Sequence, residues 1–254
     1  MKSFFEPVKF DAKRVLIKNF SFLFVSWLMP ARFYLLFTKI MISGKTAERS
    51  KLKLSYLGSM IIYSGIISAI FGIASLLKAD RDEGFLCYLQ LAPAKAKYYY
   101  GSLYLLIILV NLVAVLILQT LAVLLNSVKL DLYQVLFSIL IVGIGQLPMV
   151  LLGTCLSYLK KQETLNVVSN LIVFPLAIVS GLWWPLSIMP TWIQKVGQVM
   201  PTFFANDLLS SVLLGNQIKT GNIIGITIWI IIGIAGVIVT PDVRYSFANS
   251  VTNN

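Results

Sequence analysis

The sequence predicts an all-α integral membrane protein with six transmembrane helices, and three observations carry that prediction. Of 254 residues, 58% are hydrophobic and 12% charged, about half the charged share of an ordinary globular domain. Mean hydropathy is +0.85. Six stretches are long and apolar enough to cross about 30 Å of hydrocarbon: 20–42, 55–77, 102–125, 134–158, 165–183 and 222–240. Lipid offers the backbone no partner outside its own segment, so each stretch must be helical.

Residues 1–19 precede the first span. In "PVKFDAKRVLIKN", Val8, Ala12, Val15 and Leu16 share one helical face while Lys9, Lys13 and Lys18 lie elsewhere, and Pro7 suits a helix start. An amphipathic elbow helix lying in the membrane interface accounts for this pattern; a solvated basic tail is the plainer alternative. No unbroken apolar core precedes a small-residue cleavage site, so the stretch does not read as a cleavable signal.

The first span, 20–42, contains Pro30 and Arg32. A central Arg costs about 2.5–3.5 kcal/mol to insert, so Arg32 is expected to face protein or water. Two readings stay open: a translocation path favouring anionic or amphipathic cargo, or an Arg that is internally hydrogen-bonded or snorkels. "ISGKT" at 42–46 looks like the end of a phosphate-binding loop. That pattern needs Gly five positions before Gly44, where Lys39 stands, and it follows an apolar span rather than a strand. No nucleotide site is visible, so the energy for any transport comes from another polypeptide.

The second span carries Gly58, Gly65 and Gly72 at intervals of seven, flanked by Ser68 and Ala69. Small residues there let helices approach closely in lipid. Residues 78–101, "KADRDEGFLCYLQLAPAKAKYYYG", read as a loop holding a short surface helix between Gly84 and Pro93. Its apolar stretch, Phe85 to Leu91, needs a partner protein or the membrane.

Gln119, Gln146, Asn166 and Asn170 are polar residues expected within later spans. Asn166 and Asn170 are four apart and share a face. They either line a cavity or bond between helices. Between the last two spans, "SGLWWPLSIMPTW" packs two prolines and three tryptophans into thirteen residues, Ser180 to Trp192. Pro185, Pro190 and Pro201 each deny a continuing helix a hydrogen bond. Trp183, Trp184 and Trp192 favour headgroup depth. Broken backbone at membrane depth is tolerated only when packed in protein or lining a cavity.

With the N-terminus cytoplasmic, twelve Lys and Arg fall in cytoplasmic segments and eight in outer ones, which favours both termini inside. The segment "GKTAERSKLK", placed outside, runs against that bias. The net charge of +11 therefore belongs to membrane edges and not to a nucleic-acid partner. The chain has no histidine, which removes the usual general base and the commonest metal ligand. Cys87 is placed in a loop and Cys155 in a span, which argues against a disulfide or a zinc site. No paired carboxylates, activated nucleophile or metal cluster is apparent, so the chain reads as a non-enzyme.

Two segments, taken together, resemble type-2 ABC transporter permeases of the ABC-2 type. In the loop after the second span, Arg81, Asp82, Glu83, Gly84, Leu89, Pro93 and Gly101 sit where that family has an acidic-Arg-acidic-Gly run, a Leu-rich stretch, a Pro and a Gly. Around the fifth span, Pro175, Ser180, Gly181, Pro185, Pro190, Trp192 and Pro201 match the family signature. Pro30 in the first span is also similar. The family often has Arg where Ser210 stands here, and an Arg-rich tail where this chain has "PDVRYSFANSVTNN".

The resemblance implies a permease subunit working with two copies of an ABC ATPase, a second permease chain making a homodimer, and contact with membrane lipids. It implies no cofactor on this chain, with ATP and Mg bound by the ATPase. It divides the chain into an elbow helix, 1–19, a transmembrane domain, 20–240, and a cytoplasmic tail, 241–254. Within the domain, 78–101 would be the coupling loop and 184–207 short re-entrant helices forming an outer lid. An aromatic anchor loop without a gating role is the alternative for the latter. Arg32, Gln119, Gln146, Asn166 and Asn170 are candidates for the path. Localisation would be the plasma membrane. The competing function is a non-transporting immunity or sensor protein that binds an antimicrobial peptide.

Overall fold

The computed structural model describes residues 20–41, 46–85 and 93–239. The elbow helix, the phosphate-loop look-alike, the surface helix after Gly84 with Cys87 and Leu89, and the tail all fall wholly or mainly outside the described residues. Within them the chain is helical, with no strand.

Among the described residues ten α-helices follow in order: α1 Phe20–Leu36, α2 Thr46–Ile67, α3 Ile73–Asp82, α4 Pro93–Asn126, α5 Leu132–Gly145, α6 Leu147–Leu156, α7 Gln162–Val179, α8 Thr191–Gly197, α9 Pro201–Leu214 and α10 Thr220–Val239. A π-helical turn, Phe37–Met41, extends α1, and a second, Ser68–Gly72, joins α2 to α3. Five helices among the described residues are long and apolar enough to cross a membrane: Arg49–Asp82, Tyr98–Asn126, Leu132–Leu156, Gln162–Val179 and Thr220–Val239. Helix α1 has seventeen residues and continues into its π turn.

Arg49–Asp82 is the axis of the molecule. Its most apolar stretch is 89% buried, against 17% for Thr220–Val239. At 1.5 Å per residue its 34 residues run about 51 Å, well beyond the hydrocarbon thickness. Helices α1 and α4 pack along it, α9 covers the α2 half, and α6 covers the π turn. Close approach relies on small residues, as the glycine row predicts: the Cβ position of Gly65 lies 2.9 Å from Asn111 Nδ2, and that of Gly58 lies 3.3 Å from Leu213. Helix α10 packs the same way, Gly225 against Phe204 and Gly233 against Leu151.

Several boundaries differ from the sequence reading, each for a local reason. Residues 78–82 are not loop but the last turns of the axial helix, and Gly84 at φ +74° ends it where a residue with a Cβ would be strained. The acids Asp80 and Asp82 therefore lie on a spanning helix, where none was expected. Pro93 does not close a surface helix. It is the first residue of α4, the position at which its missing N–H is harmless. The span expected at 134–158 breaks at Gln146, with Pro148 in the first turn of α6. Asp131 starts α5 with a capping box, its backbone N–H donating to Gln134 Oε1 at 2.9 Å.

Candidate functional site

The axial helix has two ends that differ in chemistry. At the Asp82 end, charge is buried. Lys78 is 4% exposed and Asp80 1%, which is rare unless such groups are paired. Lys78 donates to the carboxylate of Asp82, one turn on. The Tyr99 hydroxyl of α4 donates to Asp80. Arg81 reaches out of the helix to the turn after α6: its guanidinium donates to the Ser157 carbonyl and sits 3.8 Å over the Tyr158 ring. Both groups are half-buried, and a cation–π contact of this kind is worth about 1 kcal/mol. Phe85 lies against Tyr99 at 5.4 Å. The end of the axial helix, the start of α4 and the α6–α7 turn are thus tied into one body.

At the middle, three polar side chains cross from helix to helix. Ser64 donates to Asn111 Oδ1 at 2.9 Å, and Asn111 Nδ2 donates to Gln146 Oε1 at 2.7 Å. Gln146 occupies the break between α5 and α6, and its own Nε2 is buried without a partner. Gln119 is buried with neither side-chain atom bonded.

The opposite end is marked by Lys39 donating to the Leu125 carbonyl, Lys53 to the Asn126 carbonyl, and Asn126 Nδ2 to Thr38. Here the chain between α7 and α10 is broken into short pieces. Pro185 precedes the 3-10 turn Leu186–Ile188, Pro190 caps α8 and Pro201 is the first residue of α9. Each proline ends one piece and starts the next, as its missing donor requires. Gly181, at φ +75°, turns the chain after α7, and a Cβ there would meet Leu186 at 2.8 Å. Ser180 and Thr202 share a hydrogen bond through their hydroxyls. Ser59 donates to Asn206 at 3.3 Å, and Gln134 to the Leu213 carbonyl at 2.8 Å, so α9 is held to α2 and α5. Helix α9 runs to Leu214, beyond the 207 boundary read from sequence.

The tryptophans do not all behave as headgroup anchors. Trp183 packs inside an aromatic cluster, 5.2 Å from Phe33, 5.5 Å from Tyr63 and 5.7 Å from Phe174. Trp192 is 67% exposed.

The structure sorts the predicted residues plainly. Arg81, Asp82, Glu83 and Gly84 come together at one end, with Pro93 opening the next helix, while Leu89 lies outside the described residues. Ser180, Gly181, Pro185, Pro190 and Pro201 shape the other end. Gln146 joins an interhelical network, and Gln119 is buried apart from it. Arg32 is exposed on α1 and forms no ion pair among the described residues. Asn166 and Asn170 are exposed, and their bonds stay within α7: Gln162 donates to Asn166 at 3.2 Å, and Asn170 to the Asn166 carbonyl at 2.7 Å. They make no interhelical bond within the described chain. Sequence reasoning missed Asn111, a polar residue inside a span, and the buried Lys78, Asp80 and Tyr99. The missed signal was polarity at helical spacing beyond the expected end of the second span. Among the described residues, no cluster suited to a metal ion forms.

Apolar helices of spanning length around one buried axial helix define a multi-pass helical membrane protein. The ABC-2 type transporter family matches residues 9–214, and the chain belongs to that family. It is 26% identical over 193 residues to "Putative transport permease YvfS" of Bacillus subtilis (strain 168), covering 76% of this chain and 78% of that protein. No solved structure matches the chain. The protein is a transport permease, and family membership implies an ABC ATPase as its partner.

Proposed function

We propose that this chain is the membrane half of an ATP-driven exporter of the plasma membrane, with both termini cytoplasmic and α1 with its π turn making the sixth crossing. Two ATPase copies bind and hydrolyse Mg-ATP and meet the permease at the Asp82 end. A second copy of the chain completes the transmembrane unit. Closure of the ATPases pushes on the segment after Gly84, and cargo leaves past the broken helices between α7 and α10, which form a re-entrant outer lid. Exposed Asn166, Asn170 and Arg32 are polar groups on otherwise apolar faces; a water-filled path or the second copy is where such groups find partners. The cargo class is an unidentified drug, peptide, lipid or glycan.

One observation carries the reading. A single helix, Arg49–Asp82, joins the charged cluster to the broken-helix segment. Ser59 and Asp82 are about 35 Å apart along it, so a displacement at one end is delivered to the other without an intervening loop. Arg81 fixes the helix end to the α6–α7 turn, so two connections would move together.

Detergent purification with an ATPase encoded beside this chain tests the reading. A stable complex is expected, with Glu83→Ala and Leu89→Ala weakening ATPase coupling. Complex formation and coupling unchanged in both variants would overturn the coupling assignment. No ATPase in the complex would favour a peptide-binding immunity or sensor protein. Single cysteines at Gly84 and Trp192 labelled from the same side of the membrane would overturn the topology.

A further inference from the structure

A cavity of about 320 Å³ opens between α2, the bend after α7, and α9. It falls at the small end of the range of ligand sites, about 300–1,000 Å³. Its walls are unlike the rest of this protein. Its lining combines Ser55, Ser59, Asn206, Ser210 and Asn216 with the apolar Phe203 and Leu186. Ser59 and Asn206 bond to each other. The Ser55 and Ser210 hydroxyls and the Asn216 amide take no partner among the described residues.

Charge decides what such a site holds. No Lys or Arg lines it among the described residues. The single carboxylate, Asp207, already accepts from Asn222 at 2.8 Å and Lys219 at 3.1 Å. An anion finds no counter-charge here, and a cation would have to displace Lys219. A neutral group rich in hydroxyls fits, because free hydroxyls and an amide both donate and accept. An apolar aromatic wall suits the C–H face of a ring. Ser55 and Ser210 are half-buried and Asn216 is exposed, so their open donors and acceptors are accessible to a ligand.

We propose that this cavity binds a single neutral sugar ring, either free or as the headgroup of a glycolipid. The proposal deepens the permease reading, which places the cavity on the outer side where cargo leaves. Binding itself needs no ATPase, so its failure and the failure of the transport reading are separable.

The test uses the full chain in nanodiscs and an alkyl β-D-glucoside carrying a diazirine on the sugar. Light-induced adducts are expected within residues 52–59 or 203–216. Ser210→Arg, which fills the cavity, should abolish them. The double variant Ser55→Ala with Ser210→Ala alters volume little and removes two hydrogen bonds, so it should cut labelling about tenfold. Displacement by methyl β-D-glucoside identifies a free sugar as the ligand source, and displacement only by alkyl glucoside identifies a glycolipid headgroup. Adducts elsewhere, adducts undiminished in the double alanine variant, or equal displacement by an alkyl phosphocholine would each overturn the proposal.

Discussion

The two ends of the axial helix are held by opposite means. At the Asp82 end, the buried Lys78 and Asp80 and the half-buried Arg81 are tied to Asp82, Tyr99 and Ser157 by charge-assisted bonds. At the Ser59 end the bonds of Ser59 to Asn206 and of Ser180 to Thr202 are neutral, around an open cavity, and the Lys219–Asp207 ion pair is largely exposed. Charge-assisted bonds are roughly twice as strong as neutral ones. The first arrangement ties three elements together by charge; the second packs α9 on α2 through apolar and small residues, Gly58 against Leu213 and Leu209.

Removing a buried charge should have the largest effect. Asp80→Ala leaves the Tyr99 hydroxyl without its acceptor and should destabilise the fold by about 3 kcal/mol. Thermal unfolding in detergent measures this, and a loss no greater than that of Ser59→Ala would erase the contrast between the ends. At the Ser59 end, sterics and not polarity should dominate. A Cβ at Gly197 would sit 2.1 Å from the Val179 carbonyl and 3.1 Å from Leu186. Gly197→Ala should therefore cost about 1–3 kcal/mol, with protease cutting between α7 and α9 increased. Between the ends, Asn111→Leu leaves the Gln146 side chain unpaired while Ser64 keeps its bond to the Ile61 carbonyl, and polar bonds in membranes average about 0.6 kcal/mol. A small loss of that order is expected from the same unfolding assay. Asn166→Leu and Asn170→Leu should change stability by less than about 0.5 kcal/mol, as exposed positions do. A fall in chain–chain cross-linking from either variant, with stability intact, would place a second copy on that face.

Much of this fold was legible because lipid simplifies it. Apolar runs of spanning length must be helices, and prolines at 185, 190 and 201 had to interrupt the chain where they do. The site was legible only in part. Arg81 to Gly84 was singled out by its resemblance to the family's charged run, but read as loop, because composition does not say that Asp80 and Arg81 find partners in other elements. That pairing is tertiary, and with the local Lys78–Asp82 pair it lets the helix carry charge inward. Asn111 escaped notice for a similar reason: its role depends on Gln146, thirty-five residues away. Ser55, Ser59, Ser210 and Asn216 carry no local pattern at all, and a cavity unites them.

The π turn at Ser68–Gly72 has a consequence for any phase drawn along the axial helix. A π turn accommodates an added residue, and one residue is about 100° of rotation. A helical wheel extended from Gly58 through Gly65 therefore loses its phase before Ile73, and Gly72 does not prolong the row that the other two begin. Excising one residue from this turn would restore a regular backbone ladder while swinging Asp80 and Arg81 a quarter-circle away from Tyr99 and Ser157.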